Sequence, residues 1–204
     1  MVSSQSWDDN VYCVQDNADS RGAVAFAPSK TQFVGVFYYS ESSRNPLRLT
    51  VDRPVDATKG LSEHLLFSLP SDLVTLKEQA LRYVIQDVQG QVIPVVTAAF
   101  WCGAEGSVVE AVEPWSVVFE EGALLIERQF LSGHDALHRW QHEFEFDSDE
   151  LSLVDSLFKR RIKSPDEFIV LTSEEQKVLR SNASGATGLT ASREALAEMR
   201  IMFS

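Results

Sequence analysis

Three histidines spaced four residues apart are the first candidates for chemistry. On a helix, His134, His138 and His142 would lie on one face, where imidazole nitrogens can bind a metal ion. The flanking pattern favours a strand instead, because residues 139–146 alternate between polar and apolar types. Four residues of a strand span about 13 Å, which is too far for one ion to contact all three rings. We therefore predict a strand here and no metal site.

Arg128 is the second candidate, since it shares one face of a predicted strand, residues 124–130, with apolar side chains. One interpretation is structural, with the guanidinium paired to a buried acid or extended to the mouth of a barrel. The other is a cationic anchor for an anionic ligand inside an apolar cavity. Trp140 and His142 would line the same cavity. His142 taken alone also fits a core histidine with satisfied hydrogen bonds.

Two charged clusters have mainly solvent-exposed interpretations. The basic residues 159–163 fit a solvated turn or strand end, or a docking patch for an acidic partner. The acidic residues 147–150 are interpreted as the tip of a hairpin. The sequence contains no nucleophile elbow, phosphate-binding glycine loop or dinucleotide fingerprint. It therefore predicts no catalytic residue, and whether the protein is an enzyme stays open.

The elements that must position these residues are mostly short strands. Turn-forming residues separate about ten apolar or alternating runs at near-even spacing. The predicted strands are 11–14, 23–26, 33–39, 47–51, 83–88, 92–97, 124–130, 139–146, 151–154 and 168–171. We predict a mainly β fold, an antiparallel barrel or sandwich with one or two short helices, near residues 71–79 and 191–203. Residues 1–204 would form a single domain, with residues 1–10 frayed.

Composition limits the partners. The chain has 204 residues, 44% of them hydrophobic, and its twelve Phe and four Trp predict either a thick core or a cavity lined by rings. Its formal net charge of -12 argues against nucleic-acid binding and is compatible with solubility or a basic partner. Cys13 and Cys102 are interpreted as buried thiols in a reducing compartment. No apolar run is long enough for a membrane span and no secretion signal is evident, so a cytoplasmic location is expected.

The C-terminal half resembles the hairpin ladder of lipocalin-like (calycin) proteins, and within them the phycobiliprotein lyases of the S/U type. The likeness covers about the last ninety residues and lies in the order of segments. The ladder segments are Phe119–Ala123, the run ending near Phe130, Trp140–Phe146 and Leu151–Arg160. The segments similar to the family's final strands are Asp166–Ile169, Lys177–Ser181 and Glu198–Ile201.

The resemblance implies a lipocalin-like barrel whose cavity holds a linear tetrapyrrole and delivers it to a cysteine of an acceptor protein. It implies that Arg128 and Arg180 meet the bilin propionates. We therefore predict a carrier or chaperone for a hydrophobic anionic small molecule such as a bilin. Its ligand-binding residues would be Arg128, Trp140, His142 and Arg180, and any enzymatic activity would be a chromophore lyase-like attachment.

Two hypotheses from other classes stay open at this point. The acidic charge balance fits a protein-interaction module, such as an immunity factor or an inhibitor that masks a basic partner. An exposed apolar edge strand would instead indicate a structural β module of a larger assembly.

Overall fold

The structure is a computed structural model that describes residues 4–29, 31–47, 55–103, 108–164, 167–182, 190, 193–197 and 199–203. The chain groups into two compact units, Met1–Phe130 and Leu131–Ser204, and each is described by itself. Both units combine helices with strands, so the fold is mixed α/β.

The first unit is built on a six-stranded antiparallel sheet and a separate two-stranded hairpin. The strands of the unit are β1 (Ser4–Asp8), β2 (Val11–Gln15), β3 (Arg21–Phe26), β4 (Phe33–Tyr38), β5 (Ile85–Val88), β6 (Gln91–Pro94), β7 (Ala98–Cys102) and β8 (Val109–Glu110). Its helices are α1 (Val55–Leu65), α2 (Val74–Leu81) and α3 (Trp115–Glu120), with 3-10 segments at Ser71–Leu73 and Ala123–Phe130. The order of the large sheet is β1-β2-β3-β4-β7-β8, and β5 and β6 pair separately as a hairpin.

Each face of this sheet buries its own core. On one face, side chains such as Val36 and Trp101 pack with α1, α2 and the β5–β6 hairpin. On the other face, Phe37 and Phe100 pack with α3 and the 3-10 segment Ala123–Phe130. Strand β4 lies between β3 and β7 and is buried from Val34 to Tyr38, as expected for a strand that is apolar on both sides.

An ion pair fixes the loop that follows β4. The Arg44 guanidinium donates two hydrogen bonds to Glu113, from Nη1 to Oε2 at 2.6 Å and from Nη2 to Oε1 at 2.7 Å. Arg44 Nη1 also donates to the Thr97 carbonyl oxygen at 3.1 Å, while Ser42 and Ser43 donate to the Glu121 carboxylate. Because every one of these groups has a partner, the cluster serves the fold and offers no open site.

The second unit is helix-rich. It contains α4 (Gly133–Phe144), α5 (Ser148–Lys163), β9 (Ile169–Leu171), α6 (Ser173–Asn182) and β10 (Ile201–Phe203). Strands β9 and β10 pair in parallel. Its core contains four buried residues from α5, β9 and β10, namely Leu153, Ile169, Leu171 and Ile201.

The predicted strands between residues 124 and 154 are wrong. The first is the 3-10 segment, the second lies mostly in α4, and the third lies in α5. The residues taken for turns are helix caps: the Ser132 side chain accepts from Asp135 N at 3.1 Å, and Asp147 forms a capping box with Glu150. Short polar residues serve both turns and caps, so the pattern was assigned to the wrong element.

The predicted mainly β fold class is therefore corrected to mixed α/β, while the predicted antiparallel sheet is confirmed. Within the described ranges the large sheet is open, with β1 and β8 as its edges. Residues 1–10 were expected to be frayed, but from Ser4 onward they form β1, which pairs with β2 through a tight turn in which Asp9 has a φ of 53°. Residues 48–51 of the predicted strand 47–51 and parts of the family-like segments, including Asp166 and Glu198, lie outside the described residues.

The predicted helix near residues 71–79 corresponds to the 3-10 segment Ser71–Leu73 followed by α2. Among the described residues, none of the helices combines the length and the apolar character that crossing a membrane requires.

Candidate binding groove

An aromatic groove lies on the face of the first unit's sheet that carries α3. Its volume is about 470 Å³. Aromatic and aliphatic side chains form most of its wall, together with two glutamines. The lining residues are Gln5, Trp7, Tyr12, Val24, Phe26, Phe33, Phe100, Ile126, Gln129 and Phe130.

The register of the sheet places a row of these residues side by side. Across five strands, Trp7 pairs with Tyr12, Tyr12 with Val24, Val24 with Gly35, and Gly35 with Phe100. Directly paired residues project from the same face of a sheet. A Cβ on Gly35 would lie 2.6 Å from Phe100 Cζ, so the glycine makes room for the ring to lie across β4. The floor of the groove therefore follows from strand pairing.

The rings form a continuous chain along the groove. Ring centres are 5.7 Å apart for Trp7 and Phe26, 5.6 Å for Phe26 and Phe33, 6.1 Å for Phe33 and Phe100, and 5.5 Å for Phe100 and Phe130. All lie in the range of favourable aromatic contacts. Phe100 is 1% exposed, whereas Trp7 and Phe130 are 64% and 40% exposed. Phe100 thus belongs to the floor, and Trp7 and Phe130 to the rim.

Neutral groups supply the polarity of the groove. Gln129 Nε2 donates a hydrogen bond to Tyr12 Oη at 2.7 Å. Burial raises the pKa of the Tyr12 phenol, and the bond from Gln129 opposes that change in part. The phenol is therefore neutral near pH 7. None of the described side chains that line the groove carries a formal charge.

A second, smaller groove has a different character. It has a volume of about 300 Å³ and combines two lysines with apolar surface. Lys59 Nζ donates to Gln91 Oε1 at 3.3 Å, and Glu63 adds one negative charge beside Lys59 and Lys77. The lining residues are Lys59, Ser62, Glu63, Leu66, Lys77, Leu81 and Pro94. Cations and apolar walls therefore meet here and not in the aromatic groove.

The four predicted ligand-binding residues are distributed over the two units. Arg128 is exposed on the 3-10 segment of the first unit, one residue before Gln129. Trp140 is half-buried and His142 exposed, both on α4 of the second unit. Arg180 lies on α6, where its Nη2 donates to Gln176 Oε1 at 3.3 Å. Their role in binding a ligand stays a prediction.

The shared face predicted for Trp140 and His142 is corrected. Two residues along an α-helix are rotated by about 200°, so these side chains project in nearly opposite directions. The strand pattern had placed them together because its period is two. The helix instead brings His142 to His138, with ring centres 5.1 Å apart.

Sequence analysis missed the groove residues themselves. The aromatic content predicted a thick core or a ring-lined cavity, but it did not identify the rings. The available signal was the hairpin at Asp9–Asn10, which pairs Trp7 with Tyr12, followed by Phe26 at the end of β3 and Phe33 at the start of β4. Reading that signal required Ser4–Asp8 to be recognised as a strand.

Comparisons of this chain with protein-family models, curated proteins and solved structures found no match. The resemblance to lipocalin-like proteins and phycobiliprotein lyases therefore stays a prediction.

Proposed function

We propose that the first unit binds a flat, largely apolar small molecule in the aromatic groove. This proposal rests on the row of paired residues from Trp7 to Phe100. The row forms the floor of a groove with a volume of about 470 Å³ and aromatic walls. Small-molecule pockets typically enclose about 300–1,000 Å³ and combine apolar walls with a few polar groups. The groove has both properties.

The polar pair defines how such a ligand would be oriented. Tyr12 accepts a hydrogen bond from Gln129, so its own O–H can donate to an acceptor on the ligand. The Gln129 amide oxygen can accept a hydrogen bond in turn. The fitting ligand is therefore an aromatic or conjugated molecule with one carbonyl or hydroxyl group. The rings at the rim, Trp7 and Phe130, would stack on its faces.

A bilin is the more specific form of this proposal. Its pyrrole rings suit the aromatic walls, but its propionates need cations. Arg128 follows Glu127 and precedes Gln129, so it is the cation adjacent in sequence to the lining. We therefore place a neutral ligand first. If the ligand is a bilin, Arg128→Gln will weaken its binding and leave the binding of neutral molecules unchanged. Tighter binding of a bilin than of a neutral probe would support the carrier or lyase-like role.

A second candidate function rests on charge. The formal net charge of -12 favours a basic protein partner, as in an inhibitor or immunity factor. This hypothesis predicts a complex whose affinity falls steeply as the salt concentration rises from about 50 to about 500 mM, because salt screens the attraction between exposed charges. Ring substitutions in the groove would leave such a complex intact.

Fluorescence titration tests the groove. The uncharged dye Nile red and the anionic tetrapyrroles biliverdin and haem are titrated into the wild-type chain, Trp7→Ala and Phe130→Ala. Both side chains are substantially exposed, so their removal should leave the fold intact. Phe67→Ala is the matched control, since Phe67 is 85% exposed and is not among the lining residues.

We expect each rim variant to bind about tenfold more weakly to the probe that the wild type binds most tightly. Loss of one stacked ring removes on the order of 1 kcal/mol or more of binding free energy. Phe67→Ala should bind as the wild type does. Equal affinity in the rim variants and the control would contradict the proposal. The absence of binding by every probe at a concentration of about 100 μM would contradict it too, because a Kd in the micromolar range gives saturation there.

A further inference from the structure

We propose that His138 and His142 of α4 form a binding site for a divalent cation of the zinc class. Their ring centres are 5.1 Å apart and the ring planes differ by 39°. Both side chains are exposed. The site lies in the second unit and does not depend on the function proposed for the groove.

The helix creates this pair from residues that a strand would separate. Four residues make slightly more than one turn, so positions 138 and 142 are neighbours on one face. The helix is defined at both ends, by the Ser132 cap and by Glu145 in the left-handed conformation with a φ of 55°. Trp140, on another face of α4, is half-buried. The two imidazoles thus project from a regular backbone into solvent.

The separation of the rings suits tetrahedral coordination. A zinc–nitrogen bond is about 2.0–2.1 Å, and the nitrogen lies roughly 1.1 Å from the imidazole centre. Two imidazoles at a tetrahedral angle around one ion then have centres about 5.2 Å apart. The observed distance between His138 and His142 is 5.1 Å. The separation of the two rings therefore permits both to bind one ion.

His134 is close in sequence pattern but does not complete the site. Its ring centre is 6.4 Å from that of His138, a distance that would require a nearly linear arrangement around a shared ion. Its Nδ1 also lies 3.5 Å from Asp135 Oδ1. No group of three or more His, Cys, Asp or Glu side chains that could hold a metal occurs among the described residues. The ion would therefore have two protein ligands from this helix.

Two ligands leave coordination positions for water or for a group from another molecule. Closed structural zinc sites use four protein ligands, whereas open positions allow a metal to bind substrates or bridge to a partner. Imidazole nitrogen suits zinc, copper and nickel, while calcium and magnesium prefer oxygen. We commit to zinc as the natural ion and expect no competition from calcium or magnesium.

Isothermal titration with zinc chloride at pH 7.5 tests the site in the full chain. We expect one zinc ion per chain, and at least tenfold weaker binding in His138→Ala and in His142→Ala. His134→Ala and His64→Ala are the matched controls, because His134 lies outside the chelating pair and His64 lies on α1. Both controls should keep the wild-type affinity within twofold. Far-UV circular dichroism verifies that each variant retains its helical signal.

Cobalt provides a second readout. The intense visible absorption of tetrahedral Co²⁺ should appear in the wild type and in His134→Ala, and should be lost in His138→Ala and His142→Ala. Wild-type zinc affinity in either of these two variants would overturn the proposal. It would also be overturned by a loss in His134→Ala as large as theirs, or by a wild-type dissociation constant for zinc weaker than 1 mM.

Discussion

Gln129 and Tyr12 are 117 positions apart in the sequence, yet the Gln129 amide donates a 2.7 Å hydrogen bond to the Tyr12 hydroxyl. The bond joins the 3-10 segment Ala123–Phe130 to β2. It therefore closes the last segment of the first unit onto the second strand of its sheet. Both partners also line the aromatic groove, so one contact contributes to the fold and to the polarity of the groove.

Gln129→Met removes the donor and keeps the length of the side chain. We expect the free energy of unfolding to fall by about 0.5–1.5 kcal/mol, the usual net contribution of one hydrogen bond. Urea denaturation of Gln129→Met, Tyr12→Phe and the double variant measures the coupling. The double variant should lose less than the sum of the single losses. Strict additivity would show that the two side chains do not stabilise each other.

Gly35→Ala should destabilise the first unit. The new Cβ would lie 2.6 Å from Phe100 Cζ, and Phe100 is almost fully buried. Overpacking of this kind costs about 1–3 kcal/mol. Gly60→Ala is the control, since the residue is inside α1 and a Cβ added there would meet nothing within 4 Å beyond its chain neighbours and the adjacent backbone of the helix. That variant should gain about 0.5–1 kcal/mol. Thermal denaturation giving the same sign for both would contradict the crowding at Phe100.

The Arg44–Glu113 ion pair should contribute more than an exposed pair. Each side chain is 19% exposed and the contact is bidentate. We expect Arg44→Met to cost about 1.5–3 kcal/mol in urea denaturation, the range for hydrogen bonds to charged groups. Asp19→Asn removes one charge from the more exposed Arg21–Asp19 pair and should cost about 1 kcal/mol or less. A smaller loss in Arg44→Met than in Asp19→Asn would contradict the predicted order.

Stability should decline at alkaline pH through Tyr83. Its hydrogen bond to Asp8, with burial and the negative charge of Asp8 adding to it, raises the pKa of Tyr83 from 10.0 to about 12. The folded state thus holds the proton more tightly, and its stability falls as the pH rises from 10 to 12. Tyr83→Phe should show a shallower decline than the wild type in urea denaturation at pH 9, 10 and 11. In Asp8→Ala, absorbance titration should give a Tyr83 pKa nearer the usual value. Identical pH profiles for wild type and Tyr83→Phe would refute this link.

Asp147→Ala should weaken the second unit by removing the cap of α5. The Asp147 carboxylate accepts from the backbone N–H groups of Asp149 and Glu150, at 2.8 and 2.9 Å. Loss of an N-cap costs about 0.5–2 kcal/mol. Ser152→Ala, at an exposed position inside α5, should be neutral or slightly stabilising because alanine has the higher helix propensity. Hydrogen exchange of the α5 amides measures both effects. Unchanged exchange in Asp147→Ala would contradict a stabilising role for this cap.

Sequence patterning predicted β2 to β6 of the first unit, whereas β1 falls in residues that were expected to be frayed. Apolar runs at 11–14, 23–26 and 33–39 correspond to β2, β3 and β4, and β4 lies between β3 and β7 in the sheet. The predicted strands 83–88 and 92–97 correspond to β5 and β6, which pair as a hairpin with Gln89 and Gly90 at φ values of 54° and 79°. In these segments local propensity, turn chemistry and burial favour the same structure.

The pattern failed where two periods coexist. In residues 139–146 the alternation of types fits a strand, while Leu137, Trp140 and Phe144 also follow helical spacing. Ser132 and Asp147 decide the outcome by capping two helices. The groove was not predictable as a site, because it depends on the pairing of β4 with β7 and on Gln129 returning to Tyr12. Such long-range contacts leave no periodic signal in the sequence.

Strand β1 affects how a ligand enters the groove. It is an edge strand, all five of its residues are exposed, and it carries the groove residues Gln5 and Trp7. Edge strands with little buried surface open locally at much lower free energy than the sheet they border. The groove therefore has one wall that can detach while the floor at Phe100 stays folded. The backbone amides of β1 should therefore exchange hydrogen faster than those of the other strands in the sheet, and a bound ligand should slow that exchange.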